Sequence, residues 1–277
     1  MEITDIIKES FIFPSNNMDK LAIFIVLSFV MGLLLVGGIF LIIYGIDSYL
    51  YLILGIILFI LSLIVAFITS GYQINIIKSG IDLEDNAPDF DWKNNAILGI
   101  KNFVLSIVYL IIPTIVTVIM AFITNIPGNF TKAAQEYAIY YYSPYMASNS
   151  TSAIVPGVSD ATMSALLSSM VITAIVAIIV FIIFLFIQTI AEARLANTNS
   201  LTEGINIPEV LKDIPRIGVS KTIAVILLLI IVSGVIQAIL GYLSGVIQPL
   251  AILSIIVTPY LAFFLKRGVG LLYSDIA

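Results

Sequence analysis

The sequence predicts an all-α integral membrane protein: a bundle of six transmembrane helices with short helices at its interfaces. Three observations predict it. The 277 residues are 60% hydrophobic and 10% charged, with a mean hydropathy of +1.14, whereas a soluble domain carries roughly 25% charged residues. The charges cluster and leave five uncharged runs of 26, 30, 30, 31 and 44 residues. Finally, Lys and Arg fall almost entirely at every second break between those runs.

The elements follow in chain order. In "EITDIIKESF", Ile3, Ile6, Ile7 and Phe11 recur at helical spacing, which predicts a lead-in helix packed on the bundle or lying on the leaflet. Acids stand where a cleaved signal would be positive, so this start is expected to stay. About 20 apolar residues cross a ~30 Å hydrocarbon core. The uncharged runs therefore predict spans over about 21–46, 49–77, 96–124 and 162–191. The last run, Thr222 to Leu265, is too long for one crossing. It divides at "GYLSGVIQP" into spans of about 222–240 and 247–266, and Pro113 and Pro259 should kink spans three and six. Gly234-x-x-x-Ala238 and Gly241-x-x-x-Gly245 have the spacing of close helix contacts, expected within the bundle.

The basic residues orient the chain. With the N-terminus inside, eleven Lys and Arg lie on that side, and only Lys132 lies opposite. Positive residues mark the cytoplasmic face. Both termini and the loops 78–95 and 192–221 are thus expected in the cytoplasm of a cell-membrane protein, and 125–161 outside. That outer segment carries two N-x-S/T acceptors, at Asn129 and Asn149, which are candidates for glycosylation.

The inner loops hold the unusual chemistry. "GIDLEDNAPDFDWKN" packs five carboxylates between two spans, and its "NAPDF" (Asn86 to Phe90) returns as "NIPEV" (Asn206 to Val210). A lysine follows each proline by thirteen positions, Lys101 and Lys221. Pro followed by an acid is helix-start grammar: the missing N–H would be unpaired in the first turn, and the acid meets the positive end of the helix dipole. A short interfacial helix is therefore expected from Pro88, with Phe90, Trp92, Ile97 and Ile100 toward the membrane surface. In the second copy, Pro215 should end the helix after Ile214. Spans two–three and four–five would then be parallel repeats.

The stretch "GYQINIIKSGIDLEDNAPDFDWKNNAILGIKNFVLSIVYLIIP" resembles the archaeal membrane family labelled domain of unknown function 4013. Gly71-Tyr72, Gly80, Pro88-Asp89-Phe90, Trp92, Gly99-Ile100-Lys101, Tyr109 and Pro113 carry the resemblance, and "FIFPSNNMDKLAIF" is similar to the family's start. It implies a multi-spanning membrane protein and brings no activity with it.

Several function classes are disfavoured. A net charge of −5 argues against nucleic acid. Without cysteine there is no thiol nucleophile or thiolate metal site, and without histidine the commonest base and metal ligand are missing. Asp82, Glu84, Asp85, Asp89 and Asp91 lack EF-hand spacing, so a solvated loop, with no metal or cofactor, is expected. The span centres carry no charge, which counts against an ion-coupled carrier. The expectation is a non-enzymatic membrane adaptor contacting the lipid bilayer. Pro88, Asp89, Trp92, Pro208 and Glu209 would dock a cytoplasmic or membrane protein partner. The alternative is a transporter or channel for a small solute or lipid. A lipid enzyme using Asp89 and Asp91 is the third reading.

Overall fold

The computed structural model describes residues 1–45, 48–142 and 155–277, and its regular structure there is helical throughout. The helices are α1 (Ile3–Asn16), α2 (Met18–Tyr44), α3 (Tyr49–Ile81), α4 (Trp92–Ile123), α5 (Ile126–Tyr142), α6 (Asp160–Thr198), α7 (Leu201–Gly204), α8 (Ile207–Ile217), α9 (Val219–Val246) and α10 (Ser254–Tyr273). A 3-10 segment, Gln248–Leu253, leads into α10. Six of these elements are long and apolar enough to cross a membrane: α2, α3, α4, α6, α9, and α10 with its 3-10 lead-in. This is the all-α, six-span, multi-pass architecture the sequence predicts.

Few span residues are covered by protein. Val36 is 68% exposed, and Leu33, Ile179 and Ile231 also point outward. In water such surface would be a liability; in a bilayer it is the lipid-facing side. The chain forms two compact units, 1–106 with 186–277, and 107–185, so α4 and α6 run through both.

In the larger unit α3 is the central helix, packed on α2 and α10. Glycine makes these approaches possible. A Cβ on Gly71 would fall inside the Asn95 carbonyl of α4, and one on Gly99 inside the Phe67 carbonyl of α3. Gly80 and Gly270 make the same kind of crossing between α3 and α10. Amides and hydroxyls add to the α3–α4 seam: Asn75 donates to Asn95 (2.7 Å) and Asn102 to Ser70 (3.0 Å). Gln188 of α6 donates to Ser106 of α4 at 3.1 Å. Such pairs hold helices together where hydrophobic burial offers little discrimination between protein and lipid.

The small-residue spacing on α9 behaves otherwise. No described atom lies within 4 Å of a Cβ built on Gly234, Gly241 or Gly245, so the expected close contact within the bundle does not form there. Nothing in "GYLSGV" breaks a helix, and α9 runs on to Val246 before Pro249 enters the 3-10 segment.

The smaller unit holds the α4–α5 turn and the start of α6. Thr124 and Thr173 share a hydrogen bond of 2.8 Å. Glu136 of α5 accepts from the Ser159 N–H (2.8 Å) and the Thr162 hydroxyl (2.7 Å), satisfying a backbone and a side-chain donor at the head of α6. Ala133, Val158 and Met163 pack beneath.

Candidate functional site

Polar side chains gather at the Lys- and Arg-rich end of the larger unit, where they make two clamps. The first secures the segment between α3 and α4. Leu83 takes a positive φ of 57° and turns the chain as α3 ends. Asn17, the buried residue between α1 and α2, donates to the carbonyls of Phe13 (3.0 Å) and Asp85 (3.2 Å) and accepts from the Ala87 N–H at 2.7 Å. Tyr72 donates to the Pro88 carbonyl (2.9 Å). Arg267 of α10, 1% exposed, donates to the Glu84 carbonyl (2.6 Å) and to the Glu9 carboxylate (2.6 Å). Its guanidinium lies 4.5 Å from the Phe13 ring centre, a cation–π distance. The α1–α2 junction and α10, both distant in sequence, thus meet α3 on one loop.

The expected docking residues stand on this clamp. Phe90 stacks on Tyr72 with centroids 3.8 Å apart and planes 8° from parallel. Asp89 projects outward and pairs with Lys20; that hydrogen bond, reinforced by the charge of Lys20, holds the Asp89 pKa below its ordinary value. Trp92 is half-exposed, 5.9 Å from the Phe90 ring.

The expected helix start at Pro88 needs correction. The chain stays non-helical to Asp91, and α4 begins at Trp92. Asp91, not Pro88, supplies the start: its carboxylate accepts from the Asn94 N–H at 3.1 Å, an N-cap bond. The Pro88 carbonyl is committed to Tyr72 instead, so the tertiary contact overrides the local signal.

The second clamp secures α8. Here the grammar holds, with Asn206 preceding a helix whose first turn contains Pro208 and Glu209. Glu209 pairs with Lys212 at 2.6 Å, and this hydrogen bond lowers its pKa. Pro215 does not end the helix after Ile214; α8 continues to Ile217, and Gly218, at φ 106°, donates back to the Ile214 carbonyl. Asp213, 1% exposed, accepts from Arg194 (2.8 Å), Tyr273 (2.8 Å) and Arg216 (3.1 Å). Arg194 also pairs with Glu203 at 2.6 Å. Among the described residues no hydrogen bond, ion pair or ring contact joins Pro88, Asp89 or Trp92 to Pro208 or Glu209.

Lys101 and Lys221 anchor different partners. Lys101 donates to the Asn199 carbonyl (2.7 Å) at the end of α6. Lys221 joins the chain ends, binding the Met1 carbonyl (2.6 Å) and the Asp275 carboxylate. Asn129 lies on α5, its side-chain nitrogen donating to the Ala165 carbonyl (3.3 Å) and the Ser169 hydroxyl (3.4 Å). Asn149 lies outside the described residues.

What the clamps leave free defines the surface. Asp82 is paired with Lys78 (2.7 Å), but the carboxylates of Glu84 and Asp85 make no ion pair among the described residues. Two hollows flank them. One of about 320 Å³ is lined by Asp5, Lys8, Glu9 and Asp85, and one of about 500 Å³ by Asp19, Lys20, Glu84 and Asp89. Among the described residues no three carboxylates converge as a metal site requires. Sequence reasoning missed Asn17, Tyr72, Arg194, Asp213 and Arg267. Arg194 and Arg267 had a signal, each a cation beside the end of an apolar run, and Tyr72 stood among the residues of the family resemblance.

Residues 54–245 match the family described as "Protein of unknown function (DUF4013)", and the chain belongs to that family. Comparison with curated proteins and with solved structures returns no match. Family and fold together define a multi-pass integral membrane protein.

Proposed function

We propose that this protein is a non-enzymatic membrane scaffold whose Lys- and Arg-rich face, turned to the cytoplasm, docks a protein partner. The observation that carries the proposal is how the segment 82–91 is held. Its backbone is bound at Glu84, Asp85, Ala87 and Pro88 by side chains from the rest of the unit. Its Glu84 and Asp85 carboxylates and the Trp92 ring project outward. A loop fixed in this way loses little entropy on binding, and an exposed Trp beside free acids suits a partner segment with basic and apolar residues. The second loop, with Pro208 and Glu209, widens the same face rather than completing one pocket.

Orientation supports the reading: eleven of the twelve basic residues belong to this face. The test is cross-linking in native membranes followed by mild-detergent purification. A partner recovered with wild type should be lost from a Glu84→Gln/Asp85→Asn/Trp92→Ala variant of unchanged thermal stability. Equal recovery from the variant would refute docking at this loop.

Transport is the second reading, and one observation favours it. On the α3–α4 seam the Asn95 side-chain nitrogen and the Asn102 side-chain oxygen are buried without hydrogen-bond partners. Polar atoms of that kind suit a path for a small polar solute. Solute flux in reconstituted vesicles, lost on Asn95→Leu, would support transport over scaffolding.

A further inference from the structure

We propose that the groove between α2, α3 and α10 is a binding site for one hydrocarbon chain of a membrane lipid, with Gln73 hydrogen-bonding the oxygens that link chain to headgroup. The groove encloses about 580 Å³ and is lined by Phe24, Gly32 and Val36 of α2, Thr69 and Gln73 of α3, and Thr258 of α10. That volume lies in the ~300–1,000 Å³ range of ligand sites.

Its position selects the ligand. All three walls are spans, so the groove opens sideways into the apolar zone and not onto water. From Phe24 to Val36 it follows α2 for about 18 Å, at 1.5 Å per residue. That is the reach of one extended chain from the interface toward the bilayer centre. Gln73 stands five residues inside Lys78, about 7.5 Å along α3, at the depth where a lipid's linkage oxygens lie below its headgroup.

The polar chemistry is complementary. Ser28 and Thr69 return their hydroxyls to the backbone carbonyls of Phe24 and Val65. The Gln73 carboxamide and the Thr258 hydroxyl make no hydrogen bond among the described residues. An amide donor left without a partner in hydrocarbon is costly. An ester, ether or amide oxygen of a lipid would satisfy it, whereas a plain hydrocarbon would not. A second copy of the chain is the poorer occupant: apolar side chains laid against the groove would leave Gln73 unpaired. This site is separate from the docking loop and stands whether or not that loop binds a partner.

The test uses the full chain in nanodiscs of dioleoyl phosphatidylglycerol containing a trace of the same lipid with a diazirine at the chain end. After irradiation, labelling should concentrate on α2 near Gly32 and on α10 near Thr258, at least five-fold above the open α9 face at Val235 and Tyr242. Gly32 has no described atom within 4 Å of its Cβ position, so Gly32→Trp should fold and fill the groove. Its labelling there should fall at least ten-fold. Gln73→Leu should lower labelling about five-fold, as loss of one net hydrogen bond implies. Equal labelling of groove and α9 would overturn the proposal, as would unchanged labelling in a stable Gly32→Trp protein. A protein–protein cross-link through the groove in place of lipid label would assign the face to a second copy, and would also overturn it.

Discussion

Replacing Asp213 by Ala removes one buried carboxylate and three hydrogen bonds, those from Arg194, Tyr273 and Arg216. The three losses differ in weight. Arg216 is 61% exposed, and an exposed pair contributes about 0–1 kcal/mol. Arg194 has a side chain only 15% exposed, and stranding a buried charge by deleting its partner costs about 3–5 kcal/mol. Glu203 still holds Arg194 at 2.6 Å, so the lower end, about 3 kcal/mol, is expected. At ~2–4 °C per kcal/mol for a chain of this size, the midpoint should fall by ~6–12 °C. Thermal unfolding in detergent or nanodiscs, with Arg216→Ala as the near-neutral control, measures it. The double variant Arg194→Met/Asp213→Leu should recover part of the loss, because no buried charge is then stranded: Glu203 and Arg216 lose their partners but have side chains 43% and 61% exposed. An Asp213→Ala midpoint within 2 °C of wild type, a bound well below that ~6 °C, would refute the buried-clamp account.

Two further predictions concern the helix seam and the smaller unit. Gly71→Ala places a methyl inside the Asn95 carbonyl and should cost about 1–3 kcal/mol by forcing α3 from α4. Gly234→Ala meets nothing and should not destabilise; unfolding midpoints would show the contrast, and equal effects would contradict the seam. Glu136 has its pKa lowered chiefly by the Thr162 hydroxyl; burial opposes this, and Ser159 and Lys132 add to it. A lowered carboxyl contributes stability that is full above its ordinary value of 4.5 and is lost as pH falls through the folded value. Hydrogen-exchange protection at residues 159–163, taken relative to the intrinsic rate at each pH, should therefore be flat from neutral pH to about 5 and fall by local opening under more acidic conditions. Glu136→Gln should abolish that acid step.

Much of the architecture was legible in the sequence. Uncharged runs and the 20-residue crossing rule identify six spans, because a bilayer imposes the same requirement on every crossing segment. The candidate site was legible only as a region. "NAPDF" marked the loop, but its helix-start grammar failed there, because Tyr72 takes the Pro88 carbonyl and leaves Asp91 to cap α4. "NIPEV" did start a helix, with Pro208 and Glu209 in its first turn.

Hydropathy, charge placement and family were fixed by composition along the chain, since they depend on each residue's cost of leaving water and not on its neighbours in space. Packing decided the rest. Asn17 and Arg267 become central only where they meet the segment 82–91, and Asp213 only where α6, α8 and α10 meet, because a buried polar group must find its partner from whichever element lies within hydrogen-bond reach. The glycine crossings follow the same logic: Gly71 and Gly234 are alike in sequence, and only the proximity of another backbone makes the first indispensable.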